Sequence, residues 1–157
     1  MLLLSAAIFA STDVAAQDAQ SVTLTLRLQD AAVTTASARE IAAAYAHAEV
    51  SVLDAMETLG AVQRPRHIEY SADQIVIVGM AQDDTEKSRV IMTDPRLIRA
   101  ESFISDDQWE SKVIYRRSVD FSVALPDDPT IVTISVLKPR WTGSEWQFDV
   151  LAETPIK

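Results

Sequence analysis

The sequence predicts an α+β fold: a ferredoxin-like antiparallel sheet with two helices on one face and a C-terminal β-hairpin. Three observations point there. Ile75, Val76, Ile77 and Val78 form an unbroken β-branched run, the pattern of a strand covered on both faces. Upstream, Ile41, Tyr45, Ala48, Val52, Met56 and Leu59 recur at spacings of three and four, the period of an amphipathic helix. Downstream, Val119, Phe121, Val123 and Leu125 alternate with polar residues, as in a strand with one wet face. Helices interspersed among hairpin-connected strands predict one layer of helix on one of sheet.

Residues 1–20 come first. Met1 to Ala10 (MLLLSAAIFA) is apolar, and Val14-Ala15-Ala16 before Gln17 fits the small-residue pattern of a signal-peptidase site. An apolar stretch of about 10 residues suits a signal-peptide core better than a bilayer span of about 20. The first basic residue is Arg27, so the usual positive start is missing. This region is expected to be a signal peptide or a truncated membrane anchor, and the chain to be exported.

Val22, Leu24, Leu26 and Leu28 alternate with Thr23, Thr25, Arg27 and Gln29, a strand signal; a leucine-rich lead into the following helix is the alternative. Ser37 and Glu40 read as a capping box opening the first helix, which Gly60 stops and Pro65 keeps from resuming. Ile68 and Tyr70 alternate with Glu69 and Ser71 as a strand. Ala72-Asp73 turns the chain into the apolar run that Gly79 ends. Asp83 and Glu86 form a second capping box, and Val90, Ile91 and Leu97 give the second helix its apolar side. Pro95 interrupts that helix, with Asp94 capping a short continuation through Ala100.

Val113 and Tyr115 extend the odd-numbered row upstream, so one long strand bent near Arg116-Arg117 is expected. Pro126 to Pro129 is a turn by composition. Val132, Ile134 and Val136 mark a strand, Thr142-Gly143-Ser144 a turn, and Trp146, Phe148 and Val150 the last strand. The domain is thus expected over residues 21–125, with 126–157 as a hairpin extension of it.

Function is narrowed mainly by exclusion. A net charge of −9 over 157 residues argues against nucleic acid, whose affinity comes from neutralised phosphates. The same charge disfavours an anionic membrane surface, leaving only the N-terminal segment to meet a membrane. With no cysteine and only His47 and His67, there is no thiolate or His-rich metal site. The acidic pairs at 83–84, 106–107 and 127–128 lack calcium-loop spacing and sit at predicted turns or helix starts. Three glycines cannot build a phosphate cradle, and no G-x-S-x-G elbow occurs. Neither catalytic residues nor a cofactor are expected, and the chain is read as a non-enzyme. Arg64, Arg66, Lys112, Arg116 and Arg117 could gather on one sheet face toward an acidic partner. Trp141, in a predicted loop beside Pro139 and Arg140, is the tryptophan placed for an interface.

The segments VLDAMETLG, RHIEYS and QIVIVGMA, followed by a helix and then by DPRLIRAESFIS and RRSVDFSVAL, resemble the periplasmic domains of PilN-like type IV pilus assembly proteins. They are similar also to the type II secretion L protein, over about Val50 to Leu125. The resemblance implies a ferredoxin-like scaffold in the periplasm, anchored at the inner membrane, that pairs with a bitopic assembly partner or with itself. The rival reading is a cystatin/NTF2-like binder of a small ligand or peptide, its long helix packed into a curved sheet. Residues 22–36 separate the two: a strand there, in the main sheet, removes the anchor-and-stem picture.

Overall fold

The computed structural model describes residues 20–30, 48–60, 62, 68–105 and 108–156, with the backbone alone for 99, 102–105 and 108–112. Its elements are β1 (Gln20–Asp30), β2 (Ala48–Leu59), β3 (Gln74–Ala81), β4 (Glu86–Thr93), β5 (Leu97–Ser105), β6 (Gln108–Tyr115), β7 (Ser118–Pro126), β8 (Ile131–Trp141) and β9 (Trp146–Pro155). No helix occurs among the described residues, so the predicted α+β, ferredoxin-like class is wrong and the fold is all-β.

Leu24, Leu26 and Leu28 are buried side by side because β1 is a central strand, flanked by β2 and β7 in the order β2-β1-β7. The second sheet runs β4-β3-β8-β9, and all its neighbours are antiparallel. The two sheets pack face to face, with β2 against β9 and β4 against β7. Between them lies one core in which Leu24, Leu26, Leu28, Val123 and Leu125 meet Ile75, Ile77, Ile134 and Val136. Burying each such side chain contributes about 1.5–3 kcal/mol relative to exposure. The C-terminal hairpin β8–β9 supplies half of the second sheet, β8 pairing directly with β3.

Both predicted helices become strands, and each for a local reason. Residues 48–59 form β2; the remainder of the first predicted helix, 37–47, lies outside the described residues. Four is a multiple of two, so Ala48 and Val52 share a face in a strand as well as in a helix. Pairing with the leucines of β1 (Leu26 opposite Val52, Leu28 opposite Val50) decides the matter. A bulge between these pairs and Thr25↔Asp54 then turns Met56 to the outer face. The second helix, read from Asp83, is β4, joined to β3 by a tight turn. There Ala81 N donates to Thr85 O (2.9 Å), Asp84 adopts φ 61°, and the Asp83 carboxylate accepts from Thr85 N (3.1 Å). An aspartate that caps a turn amide is indistinguishable in sequence from one that caps a helix.

Val76 and Val78 face away from the core yet are as buried as Ile75 and Ile77, as the unbroken run implied. Gly79 does not end the strand but lies within β3, where its pairing with β4 shifts register. A Cβ there would meet Ser88 Oγ at 2.5 Å and Ile131 Cγ2 at 3.0 Å, so two neighbouring strands require glycine. The long strand expected from Val113 to Leu125 is two, β6 and β7, broken at Arg116-Arg117.

Candidate functional site

Between β4 and β7 the chain leaves the sandwich as the ribbon β5–β6, whose strands pair, among the described residues, only with each other, from Leu97↔Tyr115 to Ser105↔Gln108. Val113 and Ile114 are adjacent, hence on opposite faces, and are 58% and 43% exposed. The ribbon therefore stands clear of the body on both sides at that level. A two-stranded hairpin has marginal stability by itself, so what holds its root matters.

That root is an ionic cluster with a fully buried centre. Arg96, just before β5, and Asp94, just after β4, are both 0% exposed. The Arg96 guanidinium donates through Nε and Nη2 to the two carboxylate oxygens of Asp94 (3.0 and 2.8 Å), and through Nη1 to Asp30 Oδ1 (2.9 Å). The Tyr115 hydroxyl donates to the same Asp30 oxygen (2.6 Å), and Lys138 Nζ on β8 donates to Asp94 Oδ2 (3.3 Å). Two carboxylates and two cations balance. Backbone bonds complete the joint: Asp94 N to Asp73 O, Arg116 N to Arg96 O, and Asp30 N to Arg117 O.

Burial opposes ionisation of Asp94, but the hydrogen bonds and charge of Arg96, helped by Lys138, hold its carboxyl below the usual range. Burial likewise opposes the Arg96 charge, and Asp94 outweighs it, raising the guanidinium further. For Lys138 burial wins, and its ammonium is pushed down. The cluster thus joins the ends of β1, β4 and β6 around Arg96, with β8 tied in through Lys138 and Asp94. Nothing in it is aimed at a reacting atom; its chemistry is that of a rivet.

A second exposed feature is the outer edge of β2. Past its bulge, every residue from Leu53 to Leu59 is exposed, Met56 at 60% and Leu59 at 82%. The strand carries Glu49, Asp54 and Glu57 and no cation. Beside it, a groove of about 560 Å³ runs between Ser51–Ala55 and Thr154-Pro155 of β9. A larger cleft of about 690 Å³ lies across Ser21, Thr23 and Thr58 of the first sheet, reaching Ser122–Ala124 of β7 and Arg89–Met92 of β4.

The residues expected to form a basic face are only partly placed. Arg64 and Arg66, with His47 and His67, lie outside the described residues. Arg116 and Arg117 are exposed at the β6–β7 corner, where their backbones belong to the root of the ribbon. Trp141 ends β8 in a different corner, half exposed, its ring 5.4 Å from that of Trp146. Trp146 and Phe148 in turn pack on Tyr70, whose hydroxyl accepts from Arg89 (3.0 Å). Sequence reasoning missed the rivet altogether. Its one trace is Asp94-Pro95-Arg96, a turn flanked by opposite charges, and Asp30 and Lys138 join only through the fold.

Among the described residues no group of histidine or acidic side chains could hold a metal ion, and no helix is long and apolar enough to cross a membrane. Comparison of the chain with family models, with characterised proteins and with solved structures finds no match.

Proposed function

We propose that this chain is a non-enzymatic envelope module, exported by its N-terminal segment, that works by docking onto other proteins. The observation that supports it is the ribbon β5–β6: both faces exposed at Val113 and Ile114, both edges unpaired among the described residues, and a root fixed by buried ions. Buried charge is a costly way to hold a loop. It is a good way to hold a projecting element in one direction, and preorganisation of that kind lowers the entropic cost of binding. The role in a pilus or secretion machine is the narrower form of the proposal. It has no support in the helix VLDAMETLG, which is part of β2, and β1 as a central strand removes the anchor-and-stem geometry.

The test is a photocross-linking amino acid at Val113 or Ile114, in cells producing the full chain, with Val132 on β8 as control. A discrete adduct from the ribbon positions and none from the control is the expected result. Equal, diffuse labelling from all three would overturn the reading. N-terminal sequencing of protein from the envelope fraction, expected to begin at Gln17, tests export.

The cleft of about 690 Å³ favours a second reading, the binding of a small ligand, since pockets of about 300–1,000 Å³ hold such molecules. The cystatin/NTF2-like form of that reading needs a helix over 37–59, and 48–59 are strand. What remains is a cleft lined by serine and threonine hydroxyls beside Val90 and Met92. Substituting Thr23 by Trp would fill it and leave docking through the ribbon untouched.

A further inference from the structure

A β-sandwich has four sheet edges, and here they are unequally defended. The edge of β9 ends in Pro155, which offers no amide, and that of β4 carries Lys87 and Arg89. The edge of β7 is lined by the larger cleft and faces β4. β2 is the longest strand at 12 residues and has neither proline nor lysine. Its register with β1 sends Ala55 and Glu57 toward the core side, opposite Leu24 and Val22, yet both are exposed. Among the described residues, the strand from Ala55 to Leu59 therefore overhangs the sandwich, exposed on both faces and paired on one edge only.

An overhanging edge with exposed Leu53, Met56 and Leu59 invites another strand. Its charges say which kind. Glu49, Asp54 and Glu57 form no ion pair among the described residues. A second copy of β2 would bring three more carboxylates and no cation, so self-pairing gathers six like charges on one ribbon with nothing to offset them. We infer that the β2 edge receives an extended segment of a partner protein in which basic and apolar residues alternate. Its bases, on the outer face, meet Glu49 and Asp54, and its apolar residues, on the core side, cover Ala55 and Leu59. The groove beside Thr154-Pro155 leaves room for the side chains that point toward β9. The inference rests on the docking reading but uses a surface separate from the ribbon.

The probe is an N-acetylated, C-amidated nonapeptide alternating lysine and valine, with a glutamate–valine peptide as comparison. Binding to the full chain is followed by titration calorimetry, and amide protection in β2 by hydrogen exchange. The lysine peptide is expected to bind at least about 10-fold tighter than the glutamate one, to protect amides of 49–59, and to weaken as salt rises. The variant carrying Glu49→Lys and Glu57→Lys should reverse that preference. It leaves Asp54 in place, whose carboxylate accepts from Ala55 N at the bulge (2.9 Å). Equal affinity for both peptides, protection outside β2, or binding of neither would each overturn the inference. Because the ribbon cross-links from Val113 do not involve β2, their persistence would show that docking stands although this edge is not its site.

Discussion

The sandwich core and the centre of the ribbon's root are equally dry, and they are held by opposite means. Leu26, Leu28, Ile75 and Ile134 are 0% exposed and bond to nothing in particular; Arg96 and Asp94 are 0% exposed and bond to named atoms. Apolar burial is non-directional and shared among many neighbours. The root instead concentrates its direction in one guanidinium with fixed donors, which a lysine could not imitate. The core makes the body stable, whereas the root sets where the ribbon points.

Substitution of Arg96 by alanine should break this comparison most sharply. It strands Asp94 and Asp30 without their common partner, and removing one side of a buried pair costs about 3–5 kcal/mol. Urea denaturation should show that loss, and hydrogen exchange should show β5 and β6 opening before the sandwich does. A uniform loss of protection through β1, β3 and β8 would mean that root and core are one cooperative unit. Leu26→Ala is the matching cut in the core. With no exposed route for collapse on the central strand, it should cost about 2–5 kcal/mol, and here protection should fall across both sheets together.

Acid should separate the two regions without a mutation. The folded-state carboxyl of Asp94 lies below its ordinary value, so its contribution is complete above the unfolded value of about 3.9. That contribution is lost as pH falls through the lower folded value. Below about pH 4 the ribbon should loosen while the apolar core persists, visible as faster exchange at Leu97 and Tyr115. The effect should be smaller than that of Arg96→Ala, because Arg96 keeps Asp30 as a partner. Simultaneous loss of both regions in acid would erase the distinction.

The same contrast explains what could be read from the sequence. Alternation is a local signal, so β1, β7, β8, β9 and the doubly covered run of β3 were legible. In β1 and β7 the inward residues recur at every second position, whereas bulges leave Val132 of β8 and Val150 of β9 exposed. Helix and strand were confused where spacing by four fits both, at Ala48 and Val52, and where Asp83 and Asp94 cap turns with the chemistry of a helix start. The root was illegible because Asp30, Asp94, Arg96, Tyr115 and Lys138 span more than 100 positions and share no periodicity. Trp141, expected in a loop, is instead the last residue of β8, paired with Trp146 and tilted against its ring.

The smallest expected effect sharpens the comparison further, since it holds chemistry constant and varies only burial. Arg27 forks onto Asp120 through Nε (2.7 Å) and Nη2 (2.8 Å), the same two-pronged geometry with which Arg96 holds Asp94. Its partners lie on β1 and β7 and are nearly half exposed. The hydrogen bonds raise the Arg27 guanidinium and lower the Asp120 carboxyl, but water and salt compete for both. A double-mutant cycle of Arg27→Ala and Asp120→Ala should give a coupling within experimental error at physiological salt, emerging only at low salt. The same cycle on Arg96 and Asp94 should give a large coupling that salt leaves nearly unchanged. If the exposed pair coupled as strongly as the buried one, geometry alone would account for the rivet, and its burial would need another reason.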